Sequence, residues 1–268
     1  MKRFKVGFIG AGNIATAIFS GIVGSGYIKP ENVCVFDLDV EKTAAFKSRG
    51  AEVGLSSLNV AQTCDYVFLT VKPQIYENVL VEIKPALSPS SCLVDLAAGI
   101  SISFVKNVVG NDIPVVRVMP NTPLMYGKGS SALVKAAPVT DEQFEFVRGC
   151  FGSCGVTVLV DEMHINTVTA ISGSAPAYVM RFIKDFVDFA VKQNMDAQDA
   201  EKLVLQVFSG AAEMISADSR SVGELIAAVT SPNGTTQAGL ISLDNDRFDD
   251  IVDSCLQATL ARAEELSK

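Results

Sequence analysis

The feature that most constrains this chain is a glycine turn close to the start of the sequence. Gly10, Gly12 and Ala15 follow a short apolar run over 5–9, and apolar residues then recur at helical spacing over 14–22. A strand, a tight turn and a helix in this order can hold a dinucleotide, because the first glycine permits the turn, the second admits the pyrophosphate and the small third residue lets the helix pack. The helix start adds free backbone N–H groups. We therefore predict that the cofactor-binding residues here are Gly10, Ala11, Gly12, Asn13, Ile14 and Ala15.

Apolar runs recur along the first part of the chain and predict an α/β fold. Most of the stretches between them have helical patterns, and the runs lie at 33–36, 66–71, 92–96, 115–118 and 157–160. This alternation is typical of a Rossmann domain, which is a doubly wound, mostly parallel sheet with helices on both faces. Thr140 and Gln143 have the spacing of a capping box before the last run. We expect a dinucleotide-binding domain over 1–161.

The rest of the chain predicts an all-helical domain over 162–268. The 55 residues between Pro176 and Pro232 contain no proline and two glycines. Ser221 and Glu224 form a second candidate capping box, and a new helix can begin near Pro232. Apolar residues at helical spacing over 179–187 and 203–208 form wide faces. These faces either pack against a second subunit or against each other within a monomer.

Composition excludes several classes of function. Lys and Arg number 22 against 30 Asp and Glu, a net charge of −8 that disfavours nucleic acid as a partner. His164 is the single histidine, which excludes a multi-histidine zinc site and most Ser-His-Asp schemes, so we predict no metal. The six cysteines show no paired CxxC spacing and predict a reduced, cytoplasmic protein. The uncharged stretch over 6–28 contains six glycines, which disfavour a signal peptide, and we expect no membrane as a partner.

Asp37 is a candidate for binding the adenosine ribose. It ends the second apolar run, 25 positions beyond Gly12, where an acidic residue accepts hydrogen bonds from the ribose hydroxyls. No Lys or Arg follows until Lys42, so a 2′-phosphate would meet Asp37 and Asp39 without an evident counter-charge. This favours NADH, but a solvated loop acid is the alternative, and the cofactor is left as NADPH or NADH.

Three later loops leave the carboxyl ends of predicted strands, where ligands bind in this architecture. Lys72 can meet a phosphate or ribose, although a lone loop lysine is equally consistent with a solvated side chain. The small side chains of Ala97 and Ala98 allow a nicotinamide ring to lie flat, and the prolines around Asn121 make its loop rigid. The predicted cofactor-binding residues in these loops are Val71, Lys72, Pro73, Ala97, Ala98 and Asn121.

Three motifs together resemble one family. They are Met-Pro-Asn-Thr-Pro over 119–123, Ile-Ser-Gly-Ser-Ala-Pro-Ala-Tyr over 171–178 and Val-Thr-Ser-Pro-Asn-Gly-Thr-Thr over 229–236. In this order after a dinucleotide turn, they resemble the pyrroline-5-carboxylate reductases, which form L-proline from 1-pyrroline-5-carboxylate with NADPH or NADH. The resemblance implies a Rossmann domain followed by a helical domain that forms homodimers or larger rings of dimers. The sequence departs from the family pattern at Ala175 and Asn233, where glycine is usual, and Asn tolerates positive φ.

Reduction of a small ring that carries a carboxylate and an imine needs alignment and anion binding more than a histidine. The segment over 231–236 lies at a predicted helix start, where backbone N–H groups and the helix dipole favour a carboxylate. The resemblance implies that the Thr236 hydroxyl is near the imine nitrogen and orients it or relays a proton through water, and we therefore predict it as the catalytic residue. Capping of its own helix is the alternative. The predicted substrate-binding residues in this segment are Ser231, Asn233, Gly234 and Thr235. Ser174 and Glu162 are secondary substrate-binding candidates, and the resemblance implies Glu162 through its position ahead of the Ser-Gly-Ser motif. A role at a helix start is the alternative for both.

Two other functions stay open at this point. A β-hydroxyacid dehydrogenase has the same layout but uses a lysine and an asparagine one turn apart, and here Lys184 is followed four residues later by Asp188. A regulator that senses a dinucleotide without turnover is the second, although the motif over 232–236 is unexpected in such a protein.

Overall fold

The computed structural model describes residues 4–267 and confirms the predicted fold class. Eight strands form one sheet: β1 Phe4–Ile9, β2 Val33–Phe36, β3 Glu52–Val53, β4 Cys64–Leu69, β5 Cys92–Asp95, β6 Val115–Pro120, β7 Gly129–Lys135 and β8 Gly155–Leu159. Their order is β3-β2-β1-β4-β5-β6-β7-β8, and all neighbours are parallel except β6 and β7. The first six strands therefore have the arrangement that binds dinucleotides where the order of the strands reverses, between β1 and β4.

Helices cover both faces of the sheet, and after β8 the chain contains helices and no further strand within the described residues. They are α1 Asn13–Gly24, α2 Val40–Lys47, α3 Ser57–Thr63, α4 Tyr76–Ile83, α5 Ile102–Val109, α6 Asp141–Gly152, α7 Ile165–Val168, α8 Ala175–Lys192, α9 Ala197–Ala217, α10 Val222–Ala228, α11 Thr235–Asn245 and α12 Phe248–Leu266. Both capping boxes are confirmed, because Thr140 accepts from the Gln143 amide and Ser221 from the Glu224 amide. Helix α11 begins at Thr235, three residues after Pro232.

Two strands escape the sequence pattern. Strand β3 has two residues, and β7 follows β6 after a short 3-10 helix, Thr122–Tyr126, where no strand is predicted. Strand β7 pairs antiparallel to β6, which places Ala132 opposite Met119. A connection of only eight residues is long enough for an antiparallel pair but too short for a helical crossover.

A separate apolar core lies on each face of the sheet. Phe8 and Phe68 of one face pack with Phe46, and the ring centroids of Phe46 and Phe68 lie 6.0 and 5.1 Å from that of Phe8. On the other face, Leu69 and Val115 lie among the residues from α4 and α5. The strands are thus buried from both sides, as parallel strands under two helical layers must be.

The contacts divide the chain into two compact units. One contains the chain up to Ser174 and the residues from Thr259 onward, and the other is Ala175–Ala258. Within the second unit α8 packs on α9, and Phe186 contacts Phe208 edge to face at 5.7 Å. Large apolar side chains remain exposed there, among them Val179, Met180, Phe189, Leu203 and Val207. The predicted domain boundary after Asp161 stays a prediction.

Candidate active site

The two glycines of the N-terminal turn are required for different reasons. Gly10 has φ of 100°, and a Cβ there would lie 2.9 Å from the carbonyl carbon of Thr70. Gly12 has an ordinary φ of −75°, forms the N-cap of α1 without a side-chain cap, and has open space where a Cβ would be. Gly10 is therefore required by the fold, whereas Gly12 leaves room for a ligand at a helix start with free N–H groups.

Asp37 holds the glycine turn from the neighbouring strand. Its Oδ2 accepts a hydrogen bond of 2.7 Å from the Ala11 amide, and its Oδ1 accepts one of 2.9 Å from the Asp39 amide. The carboxylate is thus fixed at the carboxyl end of β2, and each oxygen keeps a further lone pair. Ala15, the third small residue of the motif, is fully buried where α1 lies on the sheet.

A cleft of about 390 Å³ opens beside this turn at the carboxyl ends of β1, β2 and β4. Its lining includes Gly10, Gly12, Asp37, Lys42, Val71 and Lys72. Lys42 forms an ion pair of 3.4 Å with Asp39, so a positive charge does reach the cleft beside the two acids. The open space at Gly12, the fixed carboxylate and the size of this cleft together fit the adenosine and pyrophosphate part of a dinucleotide. Pro73 is exposed and begins a short 3-10 helix beside it.

The loop between β5 and α5 carries the two predicted alanines in opposite directions. Ala97 is buried in the core, whereas Ala98 is exposed. Asp95, at the end of β5, is fully buried, and its Oδ1 accepts from the Ala97 amide at 3.0 Å and from the Tyr76 hydroxyl at 2.5 Å. Burial raises the pKa of Asp95 to about 6, against the opposing effect of the Tyr76 hydrogen bond.

The Glu162 carboxylate accepts hydrogen bonds from two groups of the first unit. Its Oε1 accepts from the Arg117 guanidinium at 2.8 Å and from the Ile102 amide, the first of α5, also at 2.8 Å. Arg117 is 6% exposed and lies at the register position of Asp95 on the neighbouring strand. The sequence identified Glu162 but not Asp95, Tyr76 or Arg117. Arg117 interrupts an otherwise apolar strand, which is a visible signal of a buried partner.

Asn121 ties three segments of the first unit together. Its side-chain amide donates to Ser130 Oγ at 3.0 Å, and its Oδ1 accepts from the Ser130 backbone at 2.9 Å. The same amide lies 3.4 Å from Ser172, whose hydroxyl is 2.5 Å from that of Ser130. Ser172 belongs to a π-helical turn, Thr169–Gly173, and Ser174 follows directly as its C-cap. The structure therefore fixes the Ser-Gly-Ser motif against β7 through Asn121.

The predicted substrate segment is a turn at the start of α11 in the second unit. Asn233 has φ of 58°, the left-handed conformation that asparagine tolerates, and its amide donates to Gln237 at 2.6 Å. Gly234 is the N-cap, and a Cβ there would lie 2.3 Å from Ser231 Oγ. Since Gly234 occupies the cap, Thr235 and Thr236 stand within the first turn and neither caps the helix. Both are exposed.

Two further candidate residues, Lys184 and His164, are exposed side chains. Lys184 forms an ion pair with Asp188 one turn on, and His164 is exposed at the end of a short 3-10 helix. Across residues 4–267 no group of three or more His, Cys, Asp or Glu is arranged to hold a metal ion. In the same range, every helix is too short or too polar to cross a membrane.

Two family models match the chain. Residues 5–99 match the NADP oxidoreductase, coenzyme F420-dependent family, and residues 162–266 match the pyrroline-5-carboxylate reductase dimerisation family. A pyrroline-5-carboxylate reductase of Arabidopsis thaliana is 36% identical over 268 residues, which cover 100% of this chain and 97% of the relative. The chain belongs to the pyrroline-5-carboxylate reductase family.

Other members of this family support the assignment in sequence and in structure. The enzyme of Escherichia coli is 34% identical, with 98% of each chain covered. The solved structure from Plasmodium falciparum, described with NADP bound, has a TM-score of 0.90 at 32% identity and full coverage of both chains. The structure from Coxiella burnetii has a TM-score of 0.93 at 30% identity, again with both chains fully covered.

Proposed function

We propose that this protein reduces 1-pyrroline-5-carboxylate to L-proline with a nicotinamide dinucleotide. Membership of the pyrroline-5-carboxylate reductase family carries this proposal, since relatives with this activity in their names match essentially the full chain. The Lys184–Asp188 ion pair disfavours the β-hydroxyacid dehydrogenase alternative, because the lysine is paired with an acid and no asparagine stands one turn on.

The first part of the chain, 1–161, is proposed to bind the cofactor. Backbone N–H groups of Gly12 and Asn13 at the start of α1 bind the pyrophosphate, and Asp37 accepts from the adenosine ribose. Val71, Lys72 and Pro73 follow β4 at the same edge of the sheet, and Ala98 faces outward from the loop after β5. When bound, the reduced nicotinamide supplies a hydride to the C=N carbon of the substrate.

The segment 162–268 is proposed to bind the substrate and to form the dimer. The free N–H groups at the start of α11 bind the substrate carboxylate, with Ser231 and Thr235 as hydroxyl donors. Thr236 orients the ring nitrogen. Because a threonine hydroxyl is a weak acid, the imine enters largely protonated, and Thr236 holds that proton or relays one through water. Ser174 and Glu162 are proposed to act beside the substrate, Glu162 by holding the start of α5.

The test is oxidation of NADH and NADPH with pyrroline-5-carboxylate, run beside a 2-keto acid and, in reverse, a 3-hydroxy acid. Turnover with the imine alone is the expected result. Turnover with the 3-hydroxy acid would indicate a dehydrogenase instead. Dinucleotide binding without turnover on any of the three would indicate a sensor.

The proposed cofactor preference is for NADH over NADPH. Both oxygens of Asp37 are fixed by the Ala11 and Asp39 amides, so the negative charge cannot turn away from a 2′-phosphate. Lys42 is already paired with Asp39 and offsets this repulsion only in part. NADPH binding would therefore cost more than NADH binding, although both can reduce the substrate.

The proposed assembly is a homodimer or a ring of dimers in the cytoplasm. The match of 162–266 to a dimerisation family supports this, as do exposed apolar side chains such as Phe189 and Val207 in the second unit. Five of the cysteines are buried thiols and Cys255 is an exposed one, which is consistent with a reducing compartment. Light scattering that returns the 28.4 kDa mass of one chain would contradict the dimer.

A further inference from the structure

A carboxylate binds each end of the loop between β5 and α5. The first belongs to Asp95 of β5, and the second belongs to Glu162, which lies later in the first unit. At the start, Asp95 Oδ1 accepts from the Ala97 amide, two residues on, in the geometry of an Asx turn. At the end, Glu162 Oε1 accepts from the Ile102 amide. Gly99, with φ of 78°, provides the reversal between the two.

Arg117 lies beside both acids and is almost completely buried. Its Nη1 donates to Glu162, and its positive charge favours the ionised form of Asp95 on the neighbouring strand. Asp95 Oδ2 and Arg117 Nε are the two buried side-chain polar atoms without a hydrogen-bond partner among residues 4–267. A buried carboxylate with an unsatisfied oxygen reduces the stability of a fold, so packing alone does not account for it.

The other contact of the Asp95 carboxylate serves the same loop. The Tyr76 hydroxyl donates to Oδ1, the oxygen that also accepts from Ala97, and Tyr76 is 1% exposed on α4. Two donors on one oxygen fix the direction of that oxygen and hence of the Ala97 peptide. The next residue, Ala98, is the exposed one. The direction of Ala98 therefore depends on the Asp95 carboxylate, which is fully buried and does not contact a ligand itself.

We propose that Asp95 is a positioning residue, whose carboxylate holds the 96–101 loop in the shape that presents Ala98 to the nicotinamide ring. This role rests on the proposed function. The adenosine and pyrophosphate half of the cofactor binds at the glycine turn and Asp37, which Asp95 does not contact. Loss of the carboxylate should consequently slow hydride transfer while the affinity for the dinucleotide is retained.

The test compares Asp95→Ala with Asp95→Asn under single-turnover conditions. A stoichiometric complex of enzyme and NADH is mixed with excess pyrroline-5-carboxylate, and absorbance records the oxidation. The amplitude counts competent sites, and the rate constant reports how well the reactants are placed. Asp95→Ala should lower the rate constant at least tenfold, while the Kd for NADH, measured separately by fluorescence titration, should stay within about threefold of wild type. Asp95→Asn keeps an oxygen that accepts from Ala97, and its rate constant should stay within about threefold.

A purely structural role for Asp95 would lower the amplitude and leave the rate constant of Asp95→Ala unchanged, which would overturn the proposal. Tyr76→Phe is the second variant should Asp95→Ala not fold. It removes only the hydroxyl that shares Oδ1, and it should lower the rate constant about threefold or more at full amplitude, whereas a wild-type rate constant would overturn the proposal. Wild-type protein that oxidises no NADH or NADPH with this substrate refutes the proposed function, and this role with it. Active wild type with unchanged variants refutes the role of Asp95 alone.

Discussion

Replacement of the two motif glycines by alanine should have separable effects. In Gly10→Ala the new residue must adopt φ near 100°, and its Cβ must lie 2.9 Å from the carbonyl carbon of Thr70. The conformational strain costs about 1–2 kcal/mol, and displacement of the β4 end adds about 1–3 kcal/mol. For a chain of this size, a total of a few kcal/mol lowers the melting temperature by about 5–15 °C.

Gly12→Ala is the matched control, because it adds the same methyl group to the same turn. Gly12 has φ of −75°, and apart from the adjoining backbone no atom lies within 4 Å of the position that a Cβ would take there. Alanine is a poorer N-cap than glycine but restricts the unfolded chain, and these effects of about 0.5–1 kcal/mol offset each other. The melting temperature should change little. The methyl group, however, occupies the space proposed for the pyrophosphate, so the Kd for NADH should rise at least tenfold, which corresponds to about 1.4 kcal/mol.

The assays are thermal unfolding without ligand and titration with NADH followed by its fluorescence. Equal losses of melting temperature in the two variants would refute the distinction between a glycine required by the fold and one required by the ligand. Wild-type affinity in Gly12→Ala would refute the phosphate site itself.

Four further outcomes are expected. Asp37→Ser should shift selectivity toward NADPH in kcat/KM, with Asp37→Glu as a control that keeps the charge; unchanged selectivity counts against a contact with the ribose. Thr236→Val should lower kcat/KM at least tenfold and Thr236→Ser much less, and a loss under about threefold, or less than 1 kcal/mol, contradicts a catalytic role. Thr140→Ala should lower the free energy of unfolding by about 0.5–2 kcal/mol in denaturant titrations, with Thr140→Ser unchanged. Burial raises the pKa of Asp95 from 3.8 to about 6, so its contribution to stability is fully present below pH 3.8 and is lost as the pH rises through 6. The free energy of unfolding of wild type should therefore fall by up to about 3 kcal/mol relative to that of Asp95→Asn across this window. Parallel pH profiles of the two proteins would contradict this.

Local signals in the sequence predicted much of this fold. The turn at Gly10 and the capping box at Thr140 involve residues within a few positions of one another, so their geometry follows from the local chain. Asn233 stands where the family usually has glycine, and its φ of 58° is a left-handed conformation that asparagine tolerates. Strand β7 was missed because its pairing with β6 and β8 depends on its neighbours in the sheet and not on the seven residues of the strand alone.

The buried charged residues beside the loop between β5 and α5 could not be predicted from local signals. Asp95 lies near the end of the apolar run over 92–96 and is indistinguishable in sequence from an ordinary acid at the end of a strand. Its environment is created by Tyr76, 19 residues away, and by strand β6. Glu162 was identified from its position ahead of the Ser-Gly-Ser motif in the family, but its partner Arg117 is 45 positions away. Contacts of this kind depend on the order of the strands in the sheet. Local patterns in a single sequence do not give that order, so they do not predict these contacts.

The division into two units affects how the parts of this enzyme can be produced separately. Because α12 begins in the second unit and ends in the first, a protein that stops at Ser174 lacks a segment of its own unit. That segment brings the Leu266 carbonyl close to Gly99 and the Ser267 hydroxyl to Asn166. A recombinant cofactor-binding unit should therefore fuse 259–267 behind Ser174 through a flexible linker, and simple truncation should leave the face at Gly99 uncovered.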